Sequence, residues 1–168
     1  MHAAEGVWGL ACDPFDETAV ARVLQLKRRP VTKGLILIAD DAARFDLELG
    51  TLNASDRSTV LGSWPGAVTW ILPNRQFPYW ITGGRDGVAV RVPGHAQSRA
   101  LCRAFDGPLV STSANRMGQP APISALQARC RFPTAEFPGS ADYILPGEVL
   151  QPGRPSQIRT LSGNVLRG

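Results

Sequence analysis

The segment KRRPVTKGLILIAD, residues 27–40, joins the end of a predicted helix to a predicted buried strand. Its second half, GLILIA at residues 34–39, is apolar throughout, which is typical of a strand buried on both faces. In the preceding segment, Val20, Val23 and Leu24 have the spacing of one buried helical face, with Asp16 as the predicted N-cap. This helix is predicted to run as far as Arg29 and to end before Pro30.

Strands and helices continue to alternate along the rest of the chain. This alternation predicts a single α/β domain over residues 1–168 with a mixed sheet. Further strands are predicted in the segments WPGAVTWILPN (64–74), DGVAVRVPGH (86–95), PLVSTSAN (108–115) and DYILPG (142–147), with a final hairpin in SQIRTLSGNVLRG (156–168) that turns at residues 162–164. Further helices are predicted in AARFDLEL (42–49), SDRSTVLGS (55–63), AQSRALCRAF (96–105) and ISALQARCRF (123–132).

Composition limits the classes of function. The chain has 168 residues and a formal net charge of +4, which weakly favours an anionic partner such as a nucleotide or RNA. Its three cysteines, Cys12, Cys102 and Cys130, are far apart and form no CxxC pair, so neither a disulfide framework nor a zinc site is indicated. No apolar run approaches the length of a membrane span. We therefore expect a cytoplasmic protein with no membrane partner.

The basic loop before the buried strand is the first candidate site. The chain has only two lysines, Lys27 and Lys33, and both lie here, with Arg29 between them. Basic residues at a helix C-terminus are also favourable through the helix dipole alone, so this interpretation stays open. Three cations near one strand end repel one another unless an anion such as a triphosphate lies between them.

The second candidate site is VSTSAN, residues 110–115, where a predicted buried strand runs into small polar side chains. Ligands of α/β sheets tend to bind at such carboxyl ends of strands, although a turn held by local hydrogen bonds would have the same composition. No GxxxxGK[ST] loop, GxGxxG turn or GxSxG motif is present, and two histidines are too few for a histidine metal cluster. Any phosphate must therefore be bound by side-chain cations and hydroxyls.

Taken in order, the segments EGVWGLACDP, LKRRPVTKGLILIA, WPGAVTWILP, VAVRVPGH, PLVSTSAN and PSQIR resemble the YrdC/TsaC family of threonylcarbamoyl-AMP synthases over nearly the whole chain. The resemblance implies a twisted α/β sheet with a basic concave cavity. It also implies a nucleotidyltransferase that converts L-threonine, bicarbonate and ATP, expected with Mg, into threonylcarbamoyl-AMP and pyrophosphate. The product would pass to a tRNA threonylcarbamoyl-transferase complex that modifies the adenosine beside the anticodon. Direct RNA binding by this chain is left open.

The resemblance also implies roles for nine residues, while no metal ligand can be identified. Lys27 and Arg29 would neutralise the triphosphate during transfer, and Ser111 would orient threonine. His95 follows the pattern of the family but equally suits the first residue of a helix. The implied ATP-binding residues are Lys27, Arg29, Lys33, Ser113, Asn115 and Arg167, and the implied threonine-binding residues are Ser111, Arg91 and Ser156.

The start of the chain departs from the family pattern. Where the family has YPTE, this chain has HAAE, so Glu5 is kept and Ala4 replaces a threonine. We expect either that the true start lies upstream or that this is a shortened member with an exposed sheet edge. Three alternatives remain open at this point: a non-catalytic RNA-binding module, a carbamoyl-transfer activity like that of hydrogenase maturation proteins, and an inactive truncated paralogue.

Overall fold

The computed structural model describes residues 1–133 and 140–167, with the side chain of Arg167 outside the described part. One mixed sheet of eight strands dominates these residues. The strands are β1 (His2–Ala3), β2 (Trp8–Cys12), β3 (Ile36–Ile38), β4 (Val68–Pro73), β5 (Gly87–Arg91), β6 (Leu109–Ser113), β7 (Gln157–Thr160) and β8 (Val165–Arg167). Their order across the sheet is β1-β2-β6-β3-β5-β4-β7-β8. The predicted α/β class with a mixed sheet is confirmed.

Two neighbouring pairs, β3 with β5 and β4 with β7, are parallel, and the other neighbours are antiparallel. The described helices are α1 (Glu17–Lys27), α2 (Asp46–Leu49), α3 (Ala54–Gly62), α4 (Tyr79–Thr82), α5 (Ala96–Phe105) and α6 (Ala125–Arg131), with 3₁₀ turns at Val31–Lys33 and Ala42–Phe45. None of the helices in residues 1–133 and 140–167 is long and apolar enough to cross a bilayer.

The predicted N-cap of α1 is confirmed, whereas its predicted end is wrong by two residues. The Asp16 carboxylate accepts a hydrogen bond of 3.0 Å from the Ala19 N–H. The helix ends at Lys27 because Arg28 adopts a left-handed backbone conformation, with φ of 50°, and its N–H bonds to the Gln25 carbonyl. The chain thus leaves the helix before it reaches Pro30.

The predicted strand at residues 142–147 is wrong, and β1 and β2 were not predicted. Ile144 is buried, but its segment is irregular: the Leu145 N–H donates to the Met1 carbonyl at 2.9 Å, and Pro146 has no N–H with which to continue a ladder. The final hairpin is confirmed: β7 and β8 pair antiparallel, and Gly163 lies in the turn with φ of 85°.

The two faces of the sheet have different partners, because side chains alternate along each strand. Trp70, Leu72, Val88 and Val90 belong to the main hydrophobic core, together with residues from the helices and loops that cover this face. The residues between them project to the opposite face, where they line a cavity: Ile71 from β4 and Gly87, Ala89 and Arg91 from β5.

Candidate active site

The cavity has a volume of about 1060 Å³. Small-molecule sites usually measure about 300–1,000 Å³, so this cavity has room for a nucleotide together with a small second ligand. Its wall is formed by one face of the sheet and by loops that precede or follow β2, β3, β5, β6 and β7. Both candidate segments contribute to the wall: Arg29 and Lys33 from the basic loop, and Ser111, Thr112 and Ser113 from the end of β6.

Strand register orders these residues along the cavity. Arg91 pairs with Ile38, which also pairs with Leu109 at the start of β6. Ser111 and Ser113 therefore lie two and four residues further along β6, away from Arg91. We call Arg29, Lys33, Arg85 and Ser113 the cationic end of the cavity.

Arg29 is half-buried at the cationic end and is held by the turn that leads into β3. Its guanidinium donates to the Gly34 carbonyl from Nε at 3.2 Å and from Nη2 at 2.9 Å, and to the Lys33 carbonyl at 3.1 Å. Gly34 has φ of 61°, a conformation that favours glycine. Burial lowers the pKa of Arg29, and repulsion from Arg85 acts in the same direction. Lys33 is exposed at the cavity rim.

Lys27 lies behind the cationic end rather than on the cavity wall. Lys27 is 4% exposed, and its ammonium group donates to the Ser113 carbonyl, to the Asn115 carbonyl at 3.1 Å and to Ser113 Oγ at 3.5 Å. Burial lowers the pKa of Lys27 to about 8, assisted by repulsion from Arg29. The two candidate segments therefore meet directly, since the end of α1 holds the end of β6 through this lysine.

Asn115 also lies outside the described cavity wall. Its Nδ2 donates to the Arg116 carbonyl at 3.2 Å and to the Gln119 carbonyl, and its backbone carbonyl accepts a hydrogen bond from Lys27 Nζ. It closes the turn after β6, as the alternative interpretation of VSTSAN proposed. Ser111 and Ser113, by contrast, face the cavity.

At the other end of β5, Arg91 is paired with a carboxylate. Arg91 Nη1 lies 3.0 Å from Glu5 Oε2, and both side chains are nearly buried. Glu5 Oε1 accepts a hydrogen bond of 2.8 Å from the Gly94 N–H. Burial lowers the pKa of Arg91, while Glu5 acts to raise it. We call Glu5 and Arg91 the paired end of the cavity.

The remaining predicted residues have different positions. Ser156 is buried on the cavity wall, and its Oγ lies 3.1 Å from Thr69 Oγ1. Arg167 belongs to β8, but its side chain lies outside the described residues. His95 is the N-cap of α5 and accepts a hydrogen bond from Ser98 N, so the interpretation as a helix-start residue is confirmed.

Sequence reasoning missed three residues near the site. Arg85 and Arg131 line the cavity, and His2 lies behind Ser111. Arg85 follows two glycines in a loop with no recognisable pattern, and only the fold brings it to Arg29. Arg131 was placed on a predicted helix with no signal that this helix borders a cavity.

The arrangement suits an anionic ligand with a polar second group. Arg29, Lys33, Arg85, Arg91 and Arg131 line the cavity, and Glu5 is the acidic residue in its described wall. No group of three or more His, Cys, Asp or Glu residues in the described parts of the chain could hold a metal ion. Preorganised cations of this kind can stabilise negative charge that develops on a transferred phosphoryl group.

Sequence comparison decides the family. The profile of the Sua5_yciO_yrdC family, described as "Telomere recombination", matches residues 3–168. The chain belongs to the Sua5/YciO/YrdC family. A threonylcarbamoyl-AMP synthase of Alkalilimnicola ehrlichii is 52% identical over 99% of this chain and 86% of the relative. One of Stutzerimonas stutzeri is 47% identical over 99% of this chain and 88% of the relative.

A solved member of the Sua5/YciO/YrdC family has the same fold. The crystal structure of Sua5 from P. abyssi in complex with L-threonine matches with a TM-score of 0.87 and 29% identity. The match covers 99% of this chain and 48% of that chain. The resemblance inferred from the sequence motifs is thereby confirmed at the level of the family.

Proposed function

We propose that this chain is a threonylcarbamoyl-AMP synthase, an enzyme that converts L-threonine, bicarbonate and ATP into threonylcarbamoyl-AMP and pyrophosphate. The observation that carries the proposal is the shared cavity, whose wall contains Arg29 and Lys33 together with Ser111 and Ser113. Relatives of that name at 47% and 52% identity over nearly the whole chain support it.

The proposed reaction has two steps. The amine nitrogen of threonine bonds to the carbon of carbon dioxide derived from bicarbonate and loses a proton, which gives an N-carboxylate. A carboxylate oxygen then attacks the α-phosphorus of ATP, and the bond to the bridging oxygen breaks as pyrophosphate leaves. Negative charge moves onto the leaving pyrophosphate in the second step, so cations are needed beside the β- and γ-phosphates.

The cationic end is the proposed triphosphate site. Arg29 provides a planar fork, Lys33 a compact charge at the rim and Arg85 a further guanidinium. Lys27 adds positive charge from behind Ser113 and fixes the strand end that would contact the nucleotide. Asn115 would act through the same turn, and Arg167 remains a predicted ATP ligand.

Threonine would lie between Ser111 and the paired end. Because Glu5 compensates the charge of Arg91, this part of the cavity suits a zwitterionic amino acid better than a triphosphate. Ser156, on the wall formed after the loop at residues 151–155, is a third proposed contact.

Magnesium is expected with ATP, but the described residues do not form a carboxylate site for it. Glu5, the acidic residue of the described wall, already contacts Arg91 and the Gly94 N–H. Triphosphate oxygens and water would supply the ligands, as is common for this ion. The chemistry that Mg would supply is neutralisation of phosphate charge.

Further proposals concern the use of the product. The mixed anhydride threonylcarbamoyl-AMP would serve a downstream tRNA threonylcarbamoyl-transferase complex in tRNA processing. Direct contact of this chain with tRNA and a cytoplasmic location are part of the same proposal.

The test is pyrophosphate release from ATP by the purified chain, with all substrates and with each omitted in turn. We expect release only when both L-threonine and bicarbonate are present. Arg29→Ala should raise the KM for ATP roughly tenfold, since a charge-assisted contact at a half-buried site is worth about 1.5 kcal/mol. Arg75→Ala, which removes an exposed arginine outside the described cavity wall, should leave it unchanged.

Three results would contradict the proposal. Salt-sensitive RNA binding without pyrophosphate release would support the binding-module alternative. A folded protein with neither activity would support the inactive paralogue. Release that ignores threonine would point to another carbamoyl-transfer chemistry.

A further inference from the structure

A buried network of hydrogen bonds lies directly behind Ser111. His2 Nε2 is 3.2 Å from Ser111 Oγ, and His2 Nδ1 is 2.9 Å from the Ala3 carbonyl oxygen. Ser98 Oγ donates to the same carbonyl at 3.0 Å. His2 is fully buried, whereas Ser111 forms part of the cavity wall.

These contacts determine which nitrogen of His2 carries the proton. A carbonyl oxygen can only accept, so the short contact with Ala3 requires a proton on Nδ1. In a neutral imidazole, Nε2 then has a lone pair and must accept from its partner. The Ser111 hydroxyl is that partner, so its proton points to His2 and away from the cavity.

The Ser111 hydroxyl has one proton and two lone pairs, and this limits the hydrogen bonds that it can offer to a ligand. Once its single proton is used, Ser111 Oγ offers only lone pairs to the cavity. It can accept from an N–H or O–H of a ligand, but it repels a carboxylate or phosphate oxygen. A buried acceptor of this kind discriminates strongly, because a ligand without the matching donor leaves it unpaired.

We propose that His2 is a positioning residue, which fixes Ser111 as a hydrogen-bond acceptor for the amine or hydroxyl group of the amino-acid substrate. The inference rests on the proposed function and deepens it. It places the donor-bearing part of threonine on Ser111 and directs the carboxylate away from this serine.

The neighbouring strand provides the space for this contact. A Cβ atom at Gly9 would lie 3.2 Å from His2 Nε2 and 3.4 Å from Ser111 Oγ. The distance to His2 Nε2 is tighter than ordinary van der Waals contact and the distance to Ser111 Oγ is at its lower limit, so a side chain at Gly9 would crowd the contact between His2 and Ser111. Gly9 on β2 thus allows the imidazole to reach β6.

The position of His2 does not suit a general base, because its ring is fully buried and lies behind Ser111 rather than on the cavity wall. Burial lowers the pKa of His2 to about 4, and repulsion from nearby positive groups, including Arg91, acts in the same direction. A base with so low a pKa is almost entirely unprotonated near neutral pH and would not accept a proton from the ammonium group of threonine. His2 therefore acts through Ser111.

The first test compares His2→Phe, His2→Gln and the control His95→Asn. His95 is a second buried histidine, whose ring bonds to Ser98 N and to the Glu148 carbonyl rather than to Ser111. We expect His2→Phe to raise the KM for threonine roughly five- to tenfold, as for one lost hydrogen bond, with the KM for ATP unchanged. In His2→Gln the amide oxygen can accept from Ser111, so the KM for threonine should return most of the way to that of the unmodified protein. The KM for threonine of His95→Asn should equal that of the unmodified protein.

The second test is a double-mutant cycle with Ser111→Ala. If His2 acts through the Ser111 hydroxyl, His2→Phe has no further effect on the threonine KM in the Ser111→Ala background. An equal loss in both backgrounds, or an equal rise in the KM for ATP, would show that His2 only packs β1, and the inference would be wrong.

A third measurement is made on the unmodified protein, so it can be carried out even if His2→Phe does not fold. Nitrogen NMR of ¹⁵N-histidine-labelled protein at pH 7 should show His2 protonated at Nδ1, and protonation at Nε2 would overturn the inference. If the unmodified protein shows no threonine-dependent pyrophosphate release, the proposed function fails. If the unmodified protein does show this release and His2→Phe leaves the KM for threonine unchanged, only the inference about His2 fails.

Discussion

The two ends of the cavity differ in whether their charges are compensated within the protein. At the paired end, Arg91 lies 3.0 Å from Glu5, so each charge has a permanent partner. At the cationic end, Arg29, Lys33 and Arg85 have no ion pair among the described residues, and Arg29 and Arg85 repel each other. The charges of the paired end compensate each other without a ligand, whereas those of the cationic end have no acidic partner among the described residues.

This difference predicts that substitutions at the two ends affect different quantities. Changes at the paired end should reduce the stability of the fold. Changes at the cationic end should reduce ligand binding and turnover while the fold remains intact.

Glu5→Gln should cause the largest change, and it should appear in stability. The glutamine can still accept from the Gly94 N–H, but it leaves the Arg91 guanidinium buried without a counter-charge. We expect the free energy of unfolding to fall by about 3 kcal/mol, measured by urea denaturation. The double variant Glu5→Gln/Arg91→Met should recover part of the lost free energy of unfolding. A Glu5→Gln protein of unchanged stability would break the contrast.

Lys27→Met should cause the largest loss of turnover. The change removes a buried positive charge beside Ser113 and Asn115, and we expect kcat/KM for ATP to fall about 100-fold, in the range of other preorganised electrostatic groups. The matched control is Lys33→Met at the exposed rim, for which a few-fold loss is expected. Equal effects of the two substitutions would show that the buried position of Lys27 has no special role.

Catalysis should also depend on pH through Lys27. Because burial lowers its pKa to about 8, the ammonium is charged at pH 7 and loses its charge as pH rises through this value. The kcat/KM for ATP, which reports ionisation of the free enzyme, should therefore fall about tenfold from pH 7 to pH 9. Lys27→Arg, which stays charged over this range, should remove the dependence. A flat profile in the unmodified protein would contradict the assignment.

Ser113→Ala should have the smallest effect. Its hydroxyl lies 3.5 Å from Lys27 Nζ, but the stronger contacts of this lysine are to backbone carbonyls, which the substitution keeps. We expect a two- to fivefold rise in the KM for ATP, about 0.5–1 kcal/mol. Ser58→Ala, on the exposed surface of α3, is the control. Kinetics unchanged from those of the control would remove Ser113 from the site.

Local signals made much of the fold predictable. Asp16 marks the start of α1 because its carboxylate can cap the helix, and the apolar run at residues 34–39 contains β3 because a buried strand needs no polar alternation. The two-residue β1 and the irregular chain at residues 142–147 were not predictable in this way. Their structure depends on contacts between distant segments, such as the bond from Leu145 to Met1.

The site was predictable where one segment supplies several polar groups. Lys27 to Lys33 and Ser111 to Ser113 stand out in the sequence, and the fold brings them together. Arg85 and His2 do not stand out, because each is a single residue whose role comes from a neighbour on another strand or loop. Lys27 was predicted to bind the triphosphate, and only the structure shows that its ammonium group lies behind Ser113 rather than on the cavity wall.

The central claim is that one cavity holds the triphosphate at its cationic end and threonine towards its paired end. The most direct measurement is mass spectrometry of the product formed from ATP, L-threonine and ¹³C-bicarbonate by the unmodified chain. We predict an adenylate that contains threonine and carries one ¹³C atom, formed about 100-fold more slowly when Lys27→Met is used at the same concentration and at ATP below its KM. Pyrophosphate release without a labelled threonine adenylate would contradict the account.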